Sequence, residues 1–99
     1  MNGAALTIVI PTYNHLALLR RCLESLRRQT RAADRIVVVD DGSTEDIAGA
    51  MASEFPEVAV VRLDRNGGFC RAANAGLRAA ETPYVFLLNN DMTLDADCI

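Results

Sequence analysis

Apolar and polar positions along this chain switch repeatedly between two spacings, a short unbroken apolar run and a longer stripe with a helical repeat. The first run, Leu6 to Ile10 (LTIVI), is rich in β-branched residues and is closed by Pro11, which predicts a strand buried on both faces. Asn14 then stands where a helix cap is expected. Beyond it Leu16, Leu19, Leu23 and Leu26 recur at steps of three and four, with Arg20, Arg21, Arg27 and Arg28 beside them. That spacing predicts an amphipathic helix ending near Gln29.

The plan repeats. Arg35 to Val39 (RIVVV) predicts a second strand, and Asp40-Asp41-Gly42-Ser43 a turn into a helix carrying Ile47, Met51 and Phe55, with Ser43 and Asp46 as a weak capping pair and Pro56 as the stop. A third strand is expected from Val58 to Leu63. After Asn66-Gly67-Gly68, a helix would bury Phe69, Ala72, Ala73, Gly76, Leu77 and Ala80, and its small residues imply close packing on a sheet. Tyr84 to Leu88 (YVFLL) predicts a fourth strand, followed by Asn89-Asn90-Asp91.

Alternating helices and fully apolar strands imply a parallel sheet joined by right-handed crossovers. The fold class is therefore α/β, a Rossmann-like three-layer αβα arrangement with strand order 3-2-1-4. Every strand-to-helix loop then opens on one edge, with the ligand crevice expected where the winding reverses, between the first and fourth strands. Four segments meet there: Thr12-Tyr13-Asn14, Asp40-Asp41, Asn66-Gly67-Gly68 and Asn89-Asn90-Asp91.

Composition narrows the chemistry. Ninety-nine residues, 51% of them hydrophobic, are enough for one domain with a real core. A net charge of -3 offers no basic stripe for a nucleic-acid backbone, so nucleic acid is not an expected partner. All ten basic side chains are arginine. Three cysteines, Cys22, Cys70 and Cys98, stand far apart in no C-x-x-C spacing, which suggests neither a disulfide framework nor a zinc site and fits a reducing cytoplasm. Apolar runs of about five residues fall far short of the roughly 18 that suggest a membrane span, and the first residues do not have the form of a signal peptide.

The first loop, Pro11-Thr12-Tyr13-Asn14-His15, is no G-x-G-x-x-G dinucleotide turn, and without lysine there is no G-x-x-x-x-G-K-[ST] phosphate loop. A phosphate ligand would need another positive charge. Asp91, backed by the Asn89 amide, could hold a divalent cation through oxygen, a cation that stays partly hydrated and shares itself with substrate phosphates. Asp40 and Asp41 could accept hydrogen bonds from a ribose or from the N–H edge of a base. Taken one at a time these segments have plainer readings: Asp40 to Ser43 and Asn66-Gly67-Gly68 as turns, His15 as a surface residue at a helix start, Cys22 and Cys70 as small helix residues. Their convergence on one edge carries the functional reading.

The runs Ile8-Val9-Ile10-Pro11-Thr12-Tyr13-Asn14, Val37-Val38-Val39-Asp40-Asp41-Gly42-Ser43-Thr44, Asn66-x-Gly68-Phe69 with Asn74-x-Gly76, and Leu87-Leu88-Asn89-Asn90-Asp91 resemble the N-terminal part of family 2 glycosyltransferases with the GT-A fold. The resemblance covers nearly the whole chain. It implies an inverting, metal-dependent transfer of sugar from a nucleoside-diphosphate-sugar donor to a hydroxyl of an acceptor glycan, lipid or protein. By the same resemblance Pro11, Thr12, Tyr13, Asn14 and Asp41 line the nucleoside pocket, with Asp41 meeting the base and Asp40 beside it. Arg71 and Asn74 would lie near the nucleotide. Asn89-Asn90-Asp91 takes the place of the D-x-D metal motif, with Asn in the first position, so Asp91 is its one carboxylate for manganese or magnesium. The family's general base lies well beyond that motif, so no catalytic residue is assigned in this chain. Residues 1–99 are expected to be a single donor-binding domain of a longer enzyme, inactive or nearly so by itself, with the parent at the cytoplasmic face of a membrane as one setting. The fourth strand would leave an unpaired edge that encourages self-association.

Rival readings are a phosphoacceptor receiver domain, whose acidic pair Asp40-Asp41 imitates, and a non-catalytic nucleotide- or sugar-binding module. Against the receiver stand the complete strand and helix before the acidic pair and the missing lysine. A nucleotidyltransferase would need a glycine-rich, basic first loop.

Overall fold

Both spacings fold as their periods dictate. A computed structural model describes residues 5–29 and 33–92, as β1 (Leu6–Thr12), α1 (Leu16–Arg27), β2 (Arg35–Asp40), α2 (Ile47–Glu54), β3 (Ala59–Arg62), α3 (Phe69–Ala79) and β4 (Tyr84–Leu87). Cys98 lies outside the described residues. The strands form one sheet in the order β3-β2-β1-β4, every pair parallel, in the predicted topology.

Strand residues point alternately to opposite faces, and the core divides accordingly. Ile8, Ile10 and Val38 face α1 and α2, where they pack with Leu19, Leu23, Leu26, Ile47, Met51 and Phe55. Val9, Val37 and Val39 face α3 and meet Ala72 and Ala75. Each fully buried Val, Leu or Ile is worth about 1.5–3 kcal/mol of transfer free energy. On the α3 side the small residues allow close approach: a Cβ at Gly76 would collide with Val9 and crowd Val39. At the α1–α2 surface, Arg20 pairs with Glu54 at 2.7 Å and Arg27 with Glu57 at 2.8 Å, and the Arg27 guanidinium lies 4.2 Å over the Phe55 ring. Such half-exposed pairs add little individually.

The structure departs from the sequence expectations in several places. β3 and β4 are shorter than the apolar runs that encode them, four residues each. Phe69 and Leu77, expected to be buried by α3, are 54% and 46% exposed; the face of α3 that meets the sheet is built from Ala72, Ala73, Ala75 and Gly76. Tyr84, Val85 and Leu87 are also exposed, because β4 pairs with β1 and has no strand on its other side among the described residues. Asn14 does not cap α1. The residue before α1 is His15, in a left-handed conformation with no side-chain cap. Ser43 does not cap α2 either: Asp46 does, accepting the Gly49 amide at 2.9 Å.

Candidate functional site

The four loops named from the sequence follow the C-terminal ends of the four strands, at one edge of the sheet. Backbone bonds fix this edge. The Asp41 amide donates to the Thr12 carbonyl at 2.7 Å, the Leu63 amide to Asp40 at 2.8 Å, and the Leu88 amide to Val9 at 2.9 Å.

A cavity of about 260 Å³ opens there, lined by Pro11, Thr12, Tyr13, Asp41, Asn66, Gly68, Phe69 and Ala72. It lies over the ends of β1 and β2 and the start of α3, rather than over the β1–β4 crevice where the winding reverses. Phe69, the first residue of α3, lines the cavity together with Tyr13 instead of entering the core. The helical period places Phe69 and Ala72 on a buried helix face. The signal that distinguishes Phe69 is its place at the first helical position after Asn66-Gly67-Gly68, where the helix has not yet passed under the sheet.

Asp41 is the anchor of the cavity. Its carboxylate is buried and accepts the Gly67 amide at 2.9 Å and the Gly68 amide at 3.0 Å. Each oxygen of an ionised carboxylate has a further lone pair, so two acceptor directions remain. Gly42 permits the neighbouring turn. It sits at φ 73°, and a Cβ there would strike the backbone of Arg65 and Asn66. Asp40 faces the other way: fully buried, it accepts the Ser43 amide at 2.9 Å and pairs with Arg62 at 2.6 Å. It braces β3 against β2 and, although expected among the donor-binding residues, does not line the cavity, because the Ser43 amide and Arg62 engage its two carboxylate oxygens.

Asn14 also lies behind the cavity wall. Its side-chain oxygen accepts the Thr44 amide at 2.9 Å, the Thr44 hydroxyl at 3.1 Å and the Glu45 amide at 3.0 Å, while its own amide donates to the Ser43 hydroxyl at 2.8 Å. Arg71 and Asn74 do not reach the cavity lining. Arg71 donates to the Arg65 carbonyl and the Asp64 carboxylate, both at 2.9 Å, and holds the Asp64 carboxyl below the usual carboxylate range. Asn74 is exposed on α3.

Asn89, Asn90 and Asp91 form a turn after β4, closed by the Met92 amide donating to the Asn89 carbonyl at 3.2 Å. Beneath it, the buried Cys22 thiol lies 4.0 Å from that carbonyl. Burial, with the Asp91 charge adding to it, pushes the Cys22 thiol up to about 11. Asp91 itself is exposed. Among the described residues no three His, Cys, Asp or Glu side chains come together as a metal cage. One exposed carboxylate flanked by amides fits a magnesium- or manganese-type ion that takes its remaining ligands from water and substrate phosphates. It does not fit an ion held by protein alone.

The chain is similar to known proteins in sequence and in fold. Residues 7–99 match the family model for glycosyl transferase family 2. The chain is 35% identical over 97 residues to the glycosyltransferase GlyA of Streptococcus pneumoniae, covering 95% of this chain and 14% of that protein. It is likewise 35% identical over 103 residues to a PGL/p-HBAD biosynthesis glycosyltransferase of Mycobacterium bovis, covering 100% of this chain and 40% of that protein. S. aureus TarS 1-349 in complex with UDP superposes with a TM-score of 0.84 at 26% identity, over 94% of this chain and 29% of that one. The mannosyltransferase PcManGT of Pyrobaculum calidifontis, in complex with GDP-Man and Mn2+, gives a TM-score of 0.80 at 28% identity, again over 94% of this chain and 29% of that one.

Sheet order, helix layers and these likenesses define a GT-A-type glycosyltransferase domain. The chain belongs to glycosyl transferase family 2, and the receiver-domain reading falls with that assignment. It spans less than half the length of these relatives. No helix of the described residues is long and apolar enough to cross a membrane.

Proposed function

We propose that this chain is the donor-binding part of an inverting, metal-dependent glycosyltransferase. The observation that carries the proposal is the cavity at the loop edge of the sheet that a buried carboxylate, Asp41, lines together with the aromatic residues Tyr13 and Phe69. The UDP and GDP-Man complexes of the two similar structures support it. A free carboxylate lone pair suits a ring N–H, which uracil and guanine both carry. Pro11, Thr12 and Tyr13 form one wall of the nucleoside pocket, and Asn66, Gly68 and Phe69 the other. Arg71, on α3 beyond the lining, contributes by holding the Asp64–Arg65 loop, and Asn74, exposed on the same helix, would meet the nucleotide only from outside the lining. Asn89 and Asn90 flank the diphosphate.

Asp91 would hold the manganese or magnesium ion, which supplies electrostatic stabilisation to a departing nucleoside diphosphate. In the proposed step an acceptor hydroxyl oxygen forms a bond to the anomeric carbon as the bond from that carbon to the diphosphate oxygen breaks. The hydroxyl proton passes to a general base outside these 99 residues. The chain itself binds, orients and shields the donor. Incubating it with a panel of nucleoside-diphosphate-sugars and simple acceptors should give binding with little or no release of nucleoside diphosphate. Turnover at about 1 s⁻¹ or faster, typical of whole enzymes, would contradict the division of labour proposed.

A further inference from the structure

We infer that Asn14 is a positioning residue that sets the shape of the donor cavity from behind, and is not itself a donor contact. The inference rests on the donor-site reading of the cavity. Asn14 and His15 are consecutive non-glycine residues with φ of 54° and 56°. L-residues adopt this left-handed region at a cost, and asparagine tolerates it better than most. Two such residues in a row persist only where the surroundings over-determine them.

The Asn14 side chain supplies that determination. Its single carboxamide oxygen gathers three donors from the segment leading into α2, Thr44 N–H, Thr44 O–H and Glu45 N–H, while the Asn14 amide is held by Ser43. A fifth bond runs from the Leu16 amide to the Glu45 carboxylate at 3.4 Å. The β1–α1 loop is thus clasped to the β2–α2 loop through residues that do not line the cavity. The two residues just before the clasp, Thr12 and Tyr13, line the cavity, and Asn14 does not. With its oxygen committed, Asn14 acts on the donor through the placement of Tyr13.

The chain has two tyrosines and no tryptophan, so in a Tyr84→Phe background the intrinsic fluorescence reports Tyr13. Tyr84 is exposed on β4, away from the cavity. Acrylamide quenching of the nucleotide-free chain and equilibrium binding of UDP and GDP would be measured for Asn14→Asp, Asn14→Ala and Asn14→Gly. Aspartate keeps the acceptor and tolerates positive φ; alanine and glycine lose all three side-chain bonds, and glycine does so without backbone strain. Asn14→Asp should leave Tyr13 quenching and diphosphate affinity close to the parent's. Asn14→Ala and Asn14→Gly should change Tyr13 quenching in the free chain and weaken diphosphate binding about tenfold, with circular dichroism unchanged. If the alanine chain fails to fold, the glycine chain gives the reading, and Thr44→Val, which removes one bond of the three, gives a smaller change in the same direction.

Unaltered Tyr13 quenching in Asn14→Gly would overturn the inference. So would affinity lost equally in all three variants with Tyr13 undisturbed, since that pattern marks a direct contact. If the parent binds neither nucleotide, the donor-site reading fails while the fluorescence of the free chain still decides the role of Asn14.

Discussion

Asp41 and Gly68 are joined by a hydrogen bond of 3.0 Å from the Gly68 amide to one carboxylate oxygen, and the other oxygen takes the Gly67 amide at 2.9 Å. The end of β2 and the entry to α3 therefore form one unit, and the residue that faces the cavity also builds its opposite wall. Asp41→Asn replaces one acceptor by an amide that must face an N–H donor. We expect a stability loss of about 1–3 kcal/mol, read as a fall in Tm of about 4–8 °C for each kcal/mol. Diphosphate affinity should fall with it. An unchanged Tm would mean that the two amide bonds are not needed to hold the loop.

Gly76 is required by the close approach of α3 to β1. A Cβ there collides with Val9, whose side chain is fully buried. Alanine would gain about 1 kcal/mol of helix propensity, but overpacking a full core costs about 1–3 kcal/mol. We expect Gly76→Ala to be net destabilising in urea denaturation and Gly76→Val to be more so. A stabilised Gly76→Ala chain would show that α3 can lift off the sheet at little cost.

Period and composition carried most of this fold. The four apolar runs and three helical stripes gave the elements, and the alternation of types gave the sheet order, because a parallel sheet with right-handed crossovers leaves few other arrangements. The small residues of α3 announced its close packing before Gly76 was seen against Val9. The side of a loop residue was not legible in the same way. Asn14 sits in a cavity-lining loop in sequence, yet its side chain turns backward to α2 because its backbone is left-handed, and no period encodes that. Phe69 was hidden for the opposite reason: it fits the helical stripe, but the helix has not reached the sheet at its first residue. Asp40 and Asp41 are adjacent in a strand end, so they point to opposite sides, and only the contacts with Arg62 and Gly68 tell brace from cavity.

Cys22 predicts an alkaline limit to stability. Its thiol is pushed up to about 11 in the folded chain, by burial first and by the Asp91 charge second. Unfolded, it titrates near the ordinary ~8.5. The stability this contributes is complete below the unfolded value and is lost as pH rises toward about 11, since the unfolded state releases its proton first. Denaturant midpoints measured from pH 8 to pH 11 should fall more steeply for the parent than for Cys22→Ala. Equal slopes would mean that Cys22 is reached by water. In the same terms the exposed Cys70 should react with iodoacetamide well before Cys22 does.

Among the described residues β4 has no strand on its outer side, and its Tyr84, Val85 and Leu87 are exposed. An apolar strand edge of this kind is a template for another chain. Light scattering should show concentration-dependent association, reduced by Val85→Lys. A clean monomer at high concentration would set this aside.

The central claim is that the cavity and Asp91 together hold a nucleoside diphosphate and its metal. It is tested most directly by calorimetric titration of the folded chain with UDP and GDP, in manganese or magnesium and again with a chelator, for the parent and for Asp91→Ala. Metal-dependent binding of at least one diphosphate is expected, lost in the chelator and in Asp91→Ala. Binding equally strong without metal and without the Asp91 carboxylate, or no binding of either diphosphate by folded protein, would contradict it.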